Sequence, residues 1–135
     1  AGAYNSMYLI NGHEKIEGKR ANERPSMPST DGTLFLHEVR PDKIPIGGDG
    51  IVDEFTNNEF EVEEGDLIYL FSDGYADQFG GPRGKKYKYN HLKEYLLSIS
   101  HHTMPEQLQL LTDEFNNWKG ELEQIDDVCI IGVRV

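Results

Sequence analysis

Cysteine is nearly absent from this chain. Its one thiol, Cys129, excludes an internal disulfide, so no covalent staple holds the fold. Flanked by Val128, Ile130 and Ile131, it reads as a small buried hydrophobe, in keeping with a reducing compartment. Long apolar runs are also missing. Nothing approaches the roughly 20 residues of a membrane-spanning helix, and the N-terminus lacks the basic-then-apolar pattern of a secretory signal. Positive charge is scarce: 13 Lys and Arg stand against 24 Asp and Glu, for a formal charge of −11. Such a surface repels phosphate backbones and excludes nucleic acid as a general partner. Most of these carboxylates need no explanation beyond solubility.

What remains suffices for one core. A chain of 135 residues, 37% hydrophobic and 10% aromatic, matches a single folded domain. Met7–Ile10 is strand-like, and the Asn11-Gly12 turn dipeptide predicts a hairpin with the piece around Lys15–Glu17. Arg20 to Gly32, with Pro25 and Pro28, reads as a loop; Asp31-Gly32-Thr33 reads as the turn before a strand at Leu34–Val39. Pro45 to Gly50 is a glycine-rich turn region. Phe60–Glu63 alternates apolar and acidic residues, the period of a half-exposed strand, and Leu67–Phe71 is a continuous apolar run, read as a central strand. Beyond the glycine- and lysine-rich Gly80–Lys88 come two helices. The first runs over His91–Ile99 with Asn90 as cap and Leu92, Tyr95, Leu96 and Ile99 on one face. The second starts at Thr103, whose spacing to Glu106 is that of a capping box. It carries a stripe of Met104, Leu108, Leu111, Phe115 and Trp118, and stops at Gly120. Val128–Val135 closes the chain as a strand. The expected class is α+β: mainly antiparallel strands, with two helices inserted before the last one and packed on one face of the sheet.

Two acidic places stand out. Asp73-Gly74 follows one apolar strand and Asp126-Asp127 precedes another. If those strands are antiparallel neighbours, Asp73 and Asp126 meet at one rim of the sheet, and a turn over Gly74–Gln78 would bring Asp77 back to it. Crowded carboxylates repel one another and resist desolvation. A hard divalent cation such as Mg2+ or Mn2+ relieves both problems, since it prefers oxygen ligands. On pattern alone, a plain turn at Asp73 and a loop acid at Asp126 is the simpler reading, and neither dipeptide is specific in isolation.

The surrounding blocks carry a resemblance to a family. The opening Ala1 to Ile10 is similar to an "AGxxxPLYLI" strand, with Ser6 where proline is common; Pro45-Ile46-Gly47 is similar to a "PLG" turn. Gly65 to Gly74 is similar to a "GDxLxLxSDG" block and Gln124 to Val128 to a closing "xxDDxT" block. In order and separation these resemble the metal-dependent protein phosphatases (protein phosphatase 2C-like), in the bacterial sporulation and sigma-factor-regulator branch of stage II sporulation E type. The resemblance implies the C-terminal part of an α-β-β-α phosphatase sandwich. Asp73 and Asp126 match its metal-binding aspartates, Asp77 an acidic position that holds a further ion in some members, and Asp127 is the ligand if the register shifts by one. By the same resemblance Gly74 would keep the turn tight beneath the metals. Two Mn2+ or Mg2+ ions would then activate a water against a phosphoserine or phosphothreonine. The implied partners are a phosphorylated protein, an anti-sigma-factor antagonist among the candidates, and an upstream sensor domain. The implied location is cytoplasmic, with the parent protein open to membrane anchoring.

One departure matters. The family's upstream "DxTGHG" metal block has no counterpart here, because Asp31-Gly32 and Asp49-Gly50 come after the opening strand. The chain is therefore expected to be the C-terminal portion of one phosphatase domain, residues 1–135, with its N-terminal part missing and little activity alone. Arg83, Lys85, Lys86 and Lys88 form one basic cluster, readable as a flap that attracts the phosphoprotein or as a solvated loop. The histidines at 13, 37, 91, 101 and 102 lack ligand spacing and suit the surface. Gly47-Gly48-Asp49 with Asp53-Glu54-Phe55 is similar to a diguanylate-cyclase signature, but the interruption argues against it. A calcium loop over Asp53 to Glu64 fails at Phe55 and Asn58. A phosphatase-like binding module without catalysis, and an unrelated acidic domain, are the competing readings.

Overall fold

The computed structural model describes residues 5–17, 24–43 and 55–135. The Pro45–Gly47 turn, the start of the opening strand at Ala1–Tyr4 and the glycine and acidic residues at 47–54 lie outside them. Five strands form one antiparallel sheet in the order β2-β3-β1-β4-β7: β1 Met7–Asn11, β2 Met27–Pro28, β3 Phe35–Val39, β4 Leu67–Phe71 and β7 Ile130–Arg134. A small hairpin, β5 Phe79–Gly80 with β6 Lys85–Lys86, stands apart. The helices are α1 Gly74–Asp77, α2 Tyr89–Ile99 and α3 Met104–Lys119. The architecture is the expected α+β one. Among the described residues no helix is long and apolar enough to cross a membrane.

Side-chain alternation decides which face the helices cover. Tyr8, Ile10, Leu36, Leu67, Tyr69 and Phe71 point to one face and pack with Leu92, Leu96, Ile99, Leu111 and Phe115 in a single core. β4 lies between β1 and β7, so its two edges are both paired, as a central strand requires. Helix α3 starts where its local chemistry says. Thr103 accepts from the Glu106 N–H while the Glu106 carboxylate takes the Thr103 N–H, and Gly120, at φ 53°, ends it. Asp31 Oδ1 gathers the Ser29 hydroxyl and both the N–H and the hydroxyl of Thr33. Those bonds lower its pKa to about 2 and make the expected turn before β3.

Several expectations fail for non-local reasons. No hairpin joins Met7–Ile10 to Lys15–Glu17: β1 is flanked by β3 and β4, leaving no edge for that segment. Phe60–Glu63 is not a strand either, because both flanks of β4 are taken. Part of the region read as a loop supplies β2. Helix α2 starts at Tyr89 after Lys88, whose φ is 75° with no side-chain cap, so Asn90 lies in the first turn rather than capping it. Leu108 leaves the core stripe and is 68% exposed. Cys129 is exposed: Val128 and Ile130 on either side pack against the core, so its side chain points away. His37 is buried, not superficial. Its Nε2 lies 2.8 Å from the His13 carbonyl and 3.2 Å from Asn11 Oδ1, and burial lowers its pKa.

Candidate metal centre

Antiparallel pairing of β4 with β7 places Phe71 opposite Ile130, so the end of one strand and the start of the other share a rim. Beyond that pair the chains stay joined. The Ser72 N–H donates to the Cys129 carbonyl at 2.9 Å, and the Ser72 hydroxyl donates to the Asp127 carbonyl at 2.9 Å. Gly74 then passes so close to Asp127 that a Cβ would stand 2.3 Å from the Asp127 carbonyl oxygen and 3.2 Å from Val128 Cγ2. The Asp73 and Asp126-Asp127 segments, distant in sequence, meet here. Gly74→Ala is expected to force them apart at a cost of about 1–3 kcal/mol, read by denaturant unfolding. The loss should fall first on whatever the two acids do together.

Each predicted residue has a definite place. Asp73 precedes α1 as its N-cap but makes no side-chain cap bond, and its carboxylate is exposed. Asp77 closes that single turn, its N–H donating to the Asp73 carbonyl at 2.9 Å, so it does return toward the rim. Its carboxylate, however, is engaged by the Lys86 ammonium at 2.9 Å. Asp126 accepts the Asp127 N–H on Oδ1, and both residues are exposed. Arg83, Lys85 and Lys88 are exposed around the β5–β6 hairpin; Lys86, on β6, is exposed as well and also pairs with Asp77.

A hard divalent ion fits this donor set in kind: exposed carboxylates on two strand ends that the backbone forces together. Asp73 with Asp126 or Asp127 would hold it. Among the described residues no group of three or more His, Cys, Asp or Glu side chains is placed to hold a metal. Water or residues outside the described ones would complete the coordination. Mg2+, which keeps several waters, suits such a sparse set.

Beside the acids lies a second polar group that the sequence did not disclose. Glu38 on β3 takes Lys93 Nζ at 2.6 Å, Arg24 Nη1 at 2.9 Å and the Ser6 hydroxyl at 3.0 Å, with the Glu38 and Lys93 side chains only 12% and 10% exposed. Burial would raise the Glu38 pKa; Lys93, Ser6 and Arg24 outweigh it and hold the carboxyl below its ordinary value. Tyr89 bridges the two groups. Its ring lies 6.2 Å from that of Phe71, and burial followed by the charges of Asp77, Asp73 and Glu38 raises its phenol pKa. A lysine set between Leu92 and Leu96 on an apolar helix face was the one signal in the sequence.

Comparison with known structures places the architecture. The fold is similar to the SiaA-PP2C domain of Pseudomonas aeruginosa, with a TM-score of 0.71 and 23% identity. The likeness covers 98% of this chain and 44% of that one, so the chain spans less than half the length of that structure. A search of curated proteins found no match. Residues 21–135 match the family model described as Stage II sporulation protein E (SpoIIE), and the chain belongs to that family of protein phosphatase 2C-like domains.

Proposed function

We propose that this chain is the C-terminal part, residues 1–135, of a metal-dependent serine/threonine protein phosphatase domain in a bacterial signalling protein. The supporting observation is the junction at the rim, where Gly74 lies against the Asp127 carbonyl and draws two acidic strand ends together. In this reading Asp73 and Asp126, or Asp127, hold Mn2+ or Mg2+, which supplies Lewis acidity to water and to phosphoryl oxygens when bound. The chain's own residues position and orient. Gly74 permits the close approach, and the strand pairing fixes the rim. The Glu38 carboxylate holds Arg24 and the buried Lys93 beside it. Arg83 and Lys85 on the exposed hairpin would draw in the phosphorylated protein by long-range attraction. An anti-sigma-factor antagonist is the substrate type proposed, with an upstream sensor domain in the parent protein and a cytoplasmic site of action.

Release of phosphate from a phosphoserine peptide by the parent protein is the test. Turnover should require Mn2+ or Mg2+ and stop on chelation. Asp126→Asn should abolish it if Asp126 is the ligand, while Asp127→Asn does so if the register is shifted by one. Metal-independent turnover, or full activity in both variants, would overturn the assignment. A second reading, a phosphatase-like module that only docks a partner, gains support from one observation: Lys86 already neutralises Asp77. Silence of the parent in every metal would favour it.

A further inference from the structure

The last rung of the β4–β7 ladder is irregular in an informative way. Ser72 opposite Cys129 continues the register of Phe71 opposite Ile130, and the Ser72 N–H donates to the Cys129 carbonyl as an antiparallel narrow pair requires. The reciprocal bond would run from the Cys129 N–H to the Ser72 carbonyl. Instead the Cys129 N–H donates to the Ser72 hydroxyl, at 3.0 Å. That hydroxyl in turn donates to the Asp127 carbonyl at 2.9 Å. One side chain thus substitutes for its own backbone. The Ser72 carbonyl is released from the ladder, and the chain can turn at once into the helical conformation of Asp73, φ −75° and ψ −15°. The same oxygen ties down the residue that follows Asp126.

We infer that Ser72 is a positioning residue for the acidic pair, its hydroxyl setting the Asp126-Asp127 segment against the Asp73 turn through the Cys129 N–H and the Asp127 carbonyl. The inference rests on the proposed metal centre. Neighbours that orient ligating carboxylates change metal affinity by about 10–100-fold when removed, so the effect is measurable without turnover. A second tie supports the same geometry: Gln78, fully buried just after α1, donates from Nε2 to the Glu123 carbonyl at 2.9 Å and holds the stem of the Asp126 loop to the end of that turn.

The experiment is Mn2+ binding by the parent protein, followed by titration calorimetry, alongside thermal melting without metal. Ser72→Ala should weaken Mn2+ by about tenfold or more while the metal-free melting curve stays cooperative. Ser72→Thr keeps the hydroxyl and should bind within about twofold of the unaltered protein, a rescue that general destabilisation would not produce. If Ser72→Ala fails to fold, Ser72→Thr still decides. Weakening by Thr as large as that expected for Ala overturns the inference, as does unchanged affinity in Ser72→Ala. If the unaltered parent binds no Mn2+ at all, the metal centre itself falls, and the role of Ser72 with it.

Discussion

Asp73→Asn should remove at least about a hundredfold of the metal-dependent hydrolysis while leaving the domain folded. Removing residues that merely orient ligands already costs 10–100-fold in affinity or activity, and Asp73 is proposed as a ligand itself. Stability should change little, because among the described residues no hydrogen bond or ion pair engages that carboxylate. It makes no cap bond to α1, it is exposed, and the contact that closes the turn runs through the Asp73 main-chain oxygen. An amide of the same shape keeps every one of these features. Relief of repulsion at an acidic rim should offset any small loss, so the unfolding free energy should stay within about 0.5 kcal/mol. Phosphate release and denaturant unfolding, measured on the same preparation, check the two halves separately. Full activity in Asp73→Asn would remove the aspartate from the centre, and unfolding would show that its role is architectural.

Gly80→Ala should be the most destabilising single methyl in the described chain. A Cβ there would stand 1.8 Å from the Trp118 carbonyl oxygen, 2.5 Å from its carbonyl carbon and 2.6 Å from Trp118 Cδ1. Two of those atoms are main chain in the last turn of α3 and cannot rotate away. The neighbouring bond from the Gly81 N–H to the Trp118 carbonyl, 2.8 Å, would be strained with them. Overpacking typically costs 1–3 kcal/mol, and a collision of backbone with backbone should reach about 3 kcal/mol or more, a fall in melting temperature on the order of 10 °C. Gly12→Ala is the control. Its added Cβ meets only the Thr33 carbonyl, at 3.9 Å, and the melting point should scarcely move. A tolerated Gly80→Ala would mean that the hairpin does not pack against α3 as described.

The elements legible in the sequence were those whose determinants are local. Thr103, Glu106 and Gly120 announce α3 without any partner, and Leu67–Phe71 declares itself by its unbroken apolar run. Pairing is another matter. Asn11-Gly12 looks like a hairpin turn, yet β1 finds better partners in β3 and β4, and no local signal ranks those alternatives. Phe60–Glu63 has the period of a strand, but β4, the strand next to it in sequence, is already paired on both sides. At the site, Asp73, Asp77 and Asp126-Asp127 stood out as acids next to apolar strands. Lys86 stood out only as a member of a basic cluster; its bond to Asp77 was not legible, since it depends on how the hairpin of two-residue strands folds back. Glu38 with Lys93 was hidden for the same reason: the partners sit on a strand and a helix far apart in the chain. Ser72 was visible inside the "SDG" block, but its hydroxyl acquires meaning only beside Cys129 and Asp127.

Trp118 is the sole tryptophan of the chain, and its indole N–H donates to the Gln78 carbonyl at 3.1 Å, one residue past the turn that carries Asp73 and Asp77. Its ring also stands edge-on to those of Tyr87 and His91, at 5.2 and 5.6 Å. Tryptophan emission from this chain, excited at the red edge where its seven tyrosines do not absorb, is therefore a single-site signal from beside the acidic turn. A change in its emission maximum reports on whether that corner is closed, without an added dye.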